Sequence, residues 1–250
     1  MSLKETISNI ASNIDCMCGE ESDVVMTKLW VELNNKQNFN EDILSDSDVI
    51  YDMKIINPLW HKYIKNMENK QAIESIRNHS YKSVLAEEGY ESVENELALY
   101  PGREINNVAV LGCGPYPETL MEIAKSNYVK GKVVGIDSDF KSILLAKEVI
   151  DCCIHEEMMK ERIDFFHSTT INVDYSDFDM VFMMNGIINK KETMSVIDKT
   201  GNDGLVVIYR SPIELAKLLY ELVDFSKNFI RIGELKSSSI GETIAIKKIS

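Results

Sequence analysis

Val108-Ala109-Val110-Leu111-Gly112-Cys113-Gly114-Pro115-Tyr116-Pro117-Glu118-Thr119 is the stretch that decides the fold. Four apolar residues, two of them β-branched, read as a short buried strand. Glycines at 112 and 114 let the backbone take positive φ and let a ligand approach without meeting a Cβ. Proline is tolerated in the first turn of a helix, where its missing N–H has no partner to lose, so Pro117 reads as a helix start. Gly-x-Gly alone is a weak signal; set between a strand and a helix it has the context that a nucleotide-type ligand requires.

Beyond this segment the apolar runs alternate with helical spacings. Asn107–Leu111, Val133–Ile136, Ile163–Phe166, Met180–Met184 and Leu205–Tyr209 read as strands. Helices are expected over Glu118–Lys125, Phe140–Ile150, Lys191–Lys199 and Glu214–Phe225. Short strands alternating with helices imply a parallel sheet covered on both faces. Phe229–Lys236 and Glu242–Ile249 are consecutive strands joined by Ser237–Gly241, too short for a crossover, so they must pair antiparallel. The expected class is α/β, a Rossmann-like sheet of the methyltransferase type, parallel with a C-terminal antiparallel hairpin. Ahead of it, residues 1–100 carry apolar residues at helical spacing, among them Val25, Leu29 and Leu33, then Leu59, Tyr63 and Met67, then Ile73 and Ile76. These predict a helical N-terminal region, with Asn34–Asp48 as a loop in which Asn40 or Ser45 caps a short helix. Pro101-Gly102 is the turn that separates it from a ligand-binding domain over 101–250.

The third glycine of a dinucleotide loop lets the helix start close under a pyrophosphate. Position 117 is proline, which favours S-adenosylmethionine over NAD. Asp137 ends the second strand, where an acid accepts hydrogen bonds from both ribose hydroxyls, each worth ~1.5–3 kcal/mol when charge-assisted. Its competing role is a helix cap, which Ser138 or Asp139 can take over. Ser168-Thr169-Thr170 and Asn185-Gly186 follow the third and fourth strands, at the same mouth. The expected cofactor set is therefore Gly112, Cys113, Gly114, Pro115, Asp137, Ser138, Ser168, Thr169, Asn185 and Gly186.

The formal charge of −13 is carried mainly by the first hundred residues. With no basic stripe to offset it, it argues against nucleic acid as a partner. No run reaches the ~18 apolar residues of a membrane span, and no signal-peptide segment opens the chain, so a cytoplasmic protein without a membrane partner is expected. The pairs Cys16/Cys18 and Cys152/Cys153 lack the spacing of a closed zinc site, and no metal is expected.

The loop resembles the signature of the nicotianamine synthases, Gly-x-Gly-Pro-Leu-Pro-Leu-Thr, through Gly112, Gly114, Pro115, Pro117 and Thr119, with Tyr116 and Glu118 in place of the leucines. The resemblance continues through Ile136-Asp137-Ser138, Phe166-His167-Ser168-Thr169, Phe178–Phe182 and Tyr209-Arg210-Ser211 as far as Tyr220. It implies transfer of the 3-amino-3-carboxypropyl group of S-adenosylmethionine to an amine or amino-acid acceptor. The by-product is methylthioadenosine, and the products are polyamino-polycarboxylate metal chelators. It also implies a tyrosine and a glutamate from the N-terminal region in the reaction chamber; Tyr81, Tyr90, Glu94 and Glu96 are the candidates. Arg210, at the end of the fifth strand, is placed to hold a carboxylate bidentately, or to form a salt bridge to a helix. The family's acid after the threonine pair is replaced by Ile171 and Asn172. Two other readings stand beside this one: a small-molecule methyltransferase, and a binding module without catalysis.

Overall fold

The computed structural model describes residues 2–14, 17, 19–35, 42–81, 93–100, 104–223, 225–236 and 241–249. Among these, seven strands form one sheet: β1 (Val108–Leu111), β2 (Val133–Asp137), β3 (Ile163–His167), β4 (Met180–Met183), β5 (Val206–Pro212), β6 (Phe229–Lys236) and β7 (Gly241–Lys248). Their spatial order is β3-β2-β1-β4-β5-β7-β6. The first five are parallel, and β7 runs antiparallel between β5 and β6. The parallel sheet with a C-terminal antiparallel hairpin is thus present. Every residue of β1 and β4 is buried, as continuous apolar runs in a doubly covered sheet should be. The strand order reverses between β1 and β4, so a crevice opens beyond their carboxyl ends.

The helices are α1 (Leu3–Asn13), α2 (Gly19–Leu33), α3 (Asp42–Ser45), α4 (Ser47–Asn78), α5 (Val93–Ala98), α6 (Glu118–Lys125), α7 (Phe140–Cys153), α8 (Glu157–Lys160) and α9 (Lys190–Thr200). The longest is α4, with 32 residues, about 48 Å at 1.5 Å per residue. Pro58 lies inside it and removes one backbone hydrogen bond, at a cost of ~3 kcal/mol. Burial offsets this: Met53, Ile56 and Trp60 pack with Ile7 and Ile10 of α1, Met26 and Leu29 of α2, and Leu215 and Leu219. Further along, Ala72 of α4 joins Val93 and Leu97 of α5 in the core on one side of the sheet. No described helix is long and apolar enough to cross a membrane.

Two local expectations are corrected. The loop expected over Asn34–Asp48 contains α3 and the start of α4. Asp46 caps α4, accepting the N–H groups of Asp48 and Val49 at 3.0 and 3.2 Å; Ser45 instead ends α3, and Asn40 lies outside the described residues. The helix expected over Glu214–Phe225 is only a 3-10 turn, Glu214–Leu218. Leu215 and Leu218 share one face in either helix type, so their spacing does not distinguish them. Beyond the turn, Glu221 is drawn away from helical pairing. Its carboxylate accepts the backbone N–H of Lys190 at 2.9 Å and its carbonyl accepts the Lys190 ammonium at 3.3 Å.

Candidate active site

The glycine loop bends where expected. Gly112 and Gly114 take φ of 68° and 64°, left-handed values that a side chain resists. The Gly112 N–H donates to the carbonyl of Ile136 at 2.8 Å, which ties the loop to β2. Ile187, in the turn after β4, packs onto Gly112, where an added Cβ would meet its Cγ1 at 3.1 Å. The loops after β1, β2 and β4 therefore converge.

Asp137 stands at their centre. One carboxylate oxygen accepts the Gly114 N–H at 3.0 Å and the other accepts the Asp139 N–H at 2.8 Å. Its carbonyl takes the Ser168 N–H at 3.0 Å, so the loop after β3 joins the same cluster. Each carboxylate oxygen retains a lone pair for a ligand hydroxyl. Asp139, not Asp137, caps α7, through the N–H of Lys141 at 3.0 Å. Ser138 and Thr169 are exposed and Ser168 is half-buried. Gly186 has open space where a side chain would stand. The side-chain oxygen of Asn185 is buried and has no hydrogen-bond partner among the described residues, which leaves an acceptor for an ammonium. Cys113 is buried, and burial, reinforced by Asp137, pushes its thiol well above the ordinary range, which keeps it uncharged.

The acid that lies over the site is not one of the candidates named from the sequence. Glu68 of α4 lies over the loop so closely that a Cβ on Gly114 would fall 2.7 Å from its Oε2. Gly114 and the following Pro115 are both buried. Burial of the Glu68 carboxyl, reinforced by the Asp137 charge and opposed by Lys65, pushes its pKa up to about 7. Two acids that share a small volume cannot both ionise freely, so the proton-holding role falls to Glu68. The sequence did carry a signal. Met53, Ile56, Trp60, Ile64, Glu68, Ala72 and Ser75 recur at three- and four-residue spacing, and the one acid in that inward stripe is Glu68. About two turns earlier on α4, His61 packs edge-on to Tyr220. There the ammonium of fully buried Lys190 faces the Tyr209 ring at 5.2 Å. Burial lowers its pKa to about 8, with Glu221 opposing.

The residues expected from the N-terminal region fare differently. Tyr81 packs on Tyr116, ring centroids 5.7 Å apart, with Lys125 4.7 Å above its ring, so it buttresses the loop against α6. Tyr90 lies outside the described residues, and Glu94 is exposed. Glu96 and Arg210 find each other. The guanidinium donates from Nε and Nη2 to the two carboxylate oxygens at 2.8 and 2.7 Å, and from Nη1 to Thr119 Oγ1 at 3.0 Å. Thr243 adds a bond to Glu96 at 2.8 Å. Both charged side chains are buried, and a substrate carboxylate would have to displace Glu96 to reach Arg210.

Among solved structures, a glutamate-to-glutamine mutant of MtNAS is 18% identical, with 99% of this chain and 98% of that one covered and a TM-score of 0.76. MtNAS in complex with MTA and tNA is 19% identical over 98% of each chain, with a TM-score of 0.75. A methyltransferase from Geobacter sulfurreducens is 12% identical, covers 72% of this chain and 88% of its own, and has a TM-score of 0.51. At these identities the likeness is one of fold, and with MtNAS it extends over the N-terminal helices. No curated protein sequence matches. The family model described as nicotianamine synthase protein matches residues 83–237, more than half of the chain, and the chain belongs to the nicotianamine synthase family.

Proposed function

We propose that the protein transfers the 3-amino-3-carboxypropyl group of S-adenosylmethionine to an amine acceptor and releases methylthioadenosine. Family membership supports the reaction class, as do the MtNAS structures in complex with S-adenosylmethionine and with MTA and tNA. The observation in this chain that carries it is Glu68, an acid with a raised pKa held over the glycine loop. The ribose hydroxyls bind Asp137, adenine lies along Ser168-Thr169, and the α-ammonium reaches Asn185 Oδ1. The amine lone pair attacks the γ-carbon, the carbon–sulfur bond breaks, and its electron pair neutralises the sulfonium. Nitrogen then sheds a proton, and Glu68 is placed to take it. An acid near pKa 7 is well matched to this task at neutral pH. The resemblance implies amino-polycarboxylate products that chelate metals, and on that basis we propose a role in metallophore synthesis.

The nucleoside released tests the reading. Chromatography of a reaction with S-adenosylmethionine and a mixture of amino acids is expected to show acceptor-dependent methylthioadenosine above a heat-killed control. The rate should rise with pH as the acceptor amine loses its proton. Adenosylhomocysteine in its place would assign methyl transfer. Asp137→Ala should weaken S-adenosylmethionine binding at least tenfold, about 1.4 kcal/mol. Unchanged affinity by calorimetry would remove Asp137 from the ribose site.

A further inference from the structure

An ion pair between Lys65 of α4 and Asp139 at the start of α7 joins the roof of the site to its floor. Asp139 is engaged on every side. It caps α7 through Lys141, accepts the Ser142 hydroxyl at 3.1 Å, and donates its own N–H to Asp137 at 2.8 Å. Asp137 in turn holds the Gly114 N–H, and Glu68 lies over Gly114. Lys65 and Glu68 are three residues apart and share one helix face. The circuit therefore closes on itself, from Lys65 through Asp139, Asp137, Gly114 and Glu68 back along α4.

We infer that Lys65 and Asp139 form a clasp that holds α4 shut over the cofactor loop and fixes Glu68 above Gly114. Both are positioning residues. A ligand that reaches Gly114 must pass beneath α4, because Glu68 lies over that glycine. The two side chains keep 47% and 29% of their exposure, and surface ion pairs are individually weak, so the clasp opens readily. Its electrostatic effect is local. The charged groups acting on Glu68 are Asp137 from the end of β2 and Lys65 from its own helix, while Cys113 in the glycine loop stays a neutral thiol. Lys65 is the cation of this set and favours the ionised carboxylate that accepts the proton.

The kinetic consequences rest on the transfer reading; the closure does not. Three full-length variants separate them: Lys65→Met, Lys65→Arg and Asp139→Asn, the last keeping a cap acceptor for α7. In hydrogen–deuterium exchange without ligand, amides of residues 61–72 should exchange at least about threefold faster in Lys65→Met and Asp139→Asn. Lys65→Arg should restore protection. Unchanged exchange in Lys65→Met and Asp139→Asn overturns the clasp. In turnover, Lys65→Met should move the acidic limb of the pH profile up by about half a unit, a factor of about three in the proton equilibrium. Asp139→Asn leaves the Lys65 charge beside Glu68, so it should raise KM for S-adenosylmethionine without an upward shift. A purely structural role would move both variants alike. A limb unmoved by Lys65→Met overturns the positioning of Glu68. Failure of the wild type to release methylthioadenosine overturns the transfer reading instead, and exchange alone then decides the clasp.

Discussion

Glu68→Gln is expected to lower turnover by ~10²–10⁴-fold, the span that a positioned general base contributes, without unfolding the protein. Glutamine has nearly the same shape and still fits over Gly114, but it cannot accept the proton of the attacking amine. The acid works only when ionised, so the wild-type rate should fall as pH drops through the Glu68 pKa of about 7. A bound sulfonium stabilises the carboxylate. The acidic limb should therefore lie lower at saturating than at limiting S-adenosylmethionine. Stability moves the other way. The folded pKa lies above the ordinary 4.5, so between pH 4.5 and about 7 the folded state holds a proton that the unfolded chain has lost. Wild-type stability falls as pH rises through that window, and the glutamine variant lacks this loss. Initial rates of methylthioadenosine release, with thermal melts at pH 6 and pH 8, check both halves. A variant within about threefold of the wild-type rate removes Glu68 from the chemistry.

That residue also marks the limit of what the sequence disclosed. The strands were legible because β1 and β4 are continuous apolar runs, and the hairpin because Ser237–Gly241 leaves no length for a crossover. The glycine loop and Asp137 were legible because local backbone chemistry requires them. The roof was legible only as an inward-facing stripe on α4, because what that stripe meets, α7 and the glycine loop, is set by tertiary packing that no local rule fixes. Lys65 resembles any solvated lysine on a helix until α7 is brought against it, and Glu68, the acid of the inward stripe, has no assigned partner until Gly114 is brought beneath it. Arg210 shows the converse. The strand that carries it was legible, although β5 runs on past Arg210 to Pro212, yet a sequence cannot tell a bidentate partner on a substrate from one on α5.

The Glu96–Arg210 pair supplies the largest expected effect on stability. Glu96→Ala leaves a buried guanidinium without this carboxylate, a change that costs about 3–5 kcal/mol. For a chain of this size that lowers Tm by roughly 6–20 °C. Arg210→Met should be comparably damaging, since among the described residues Glu96 would then be a buried carboxylate with Thr243 as its remaining side-chain partner. Replacing both, Glu96→Leu with Arg210→Met, removes the charges together and should recover most of the loss, because an apolar pair of similar volume avoids the desolvation cost. The network also joins Thr119, at the start of α6, to β5, and α5 to β7. Its loss thus loosens the glycine loop as well as α5. If the pair only ties these elements together, the double variant should regain turnover along with Tm. If Arg210 reaches a substrate carboxylate, Tm should recover while KM for the substrate bearing it stays raised. Melting curves and KM on the two single variants and the double variant decide between them, and the closed bidentate geometry with buried partners on both sides favours recovery of both.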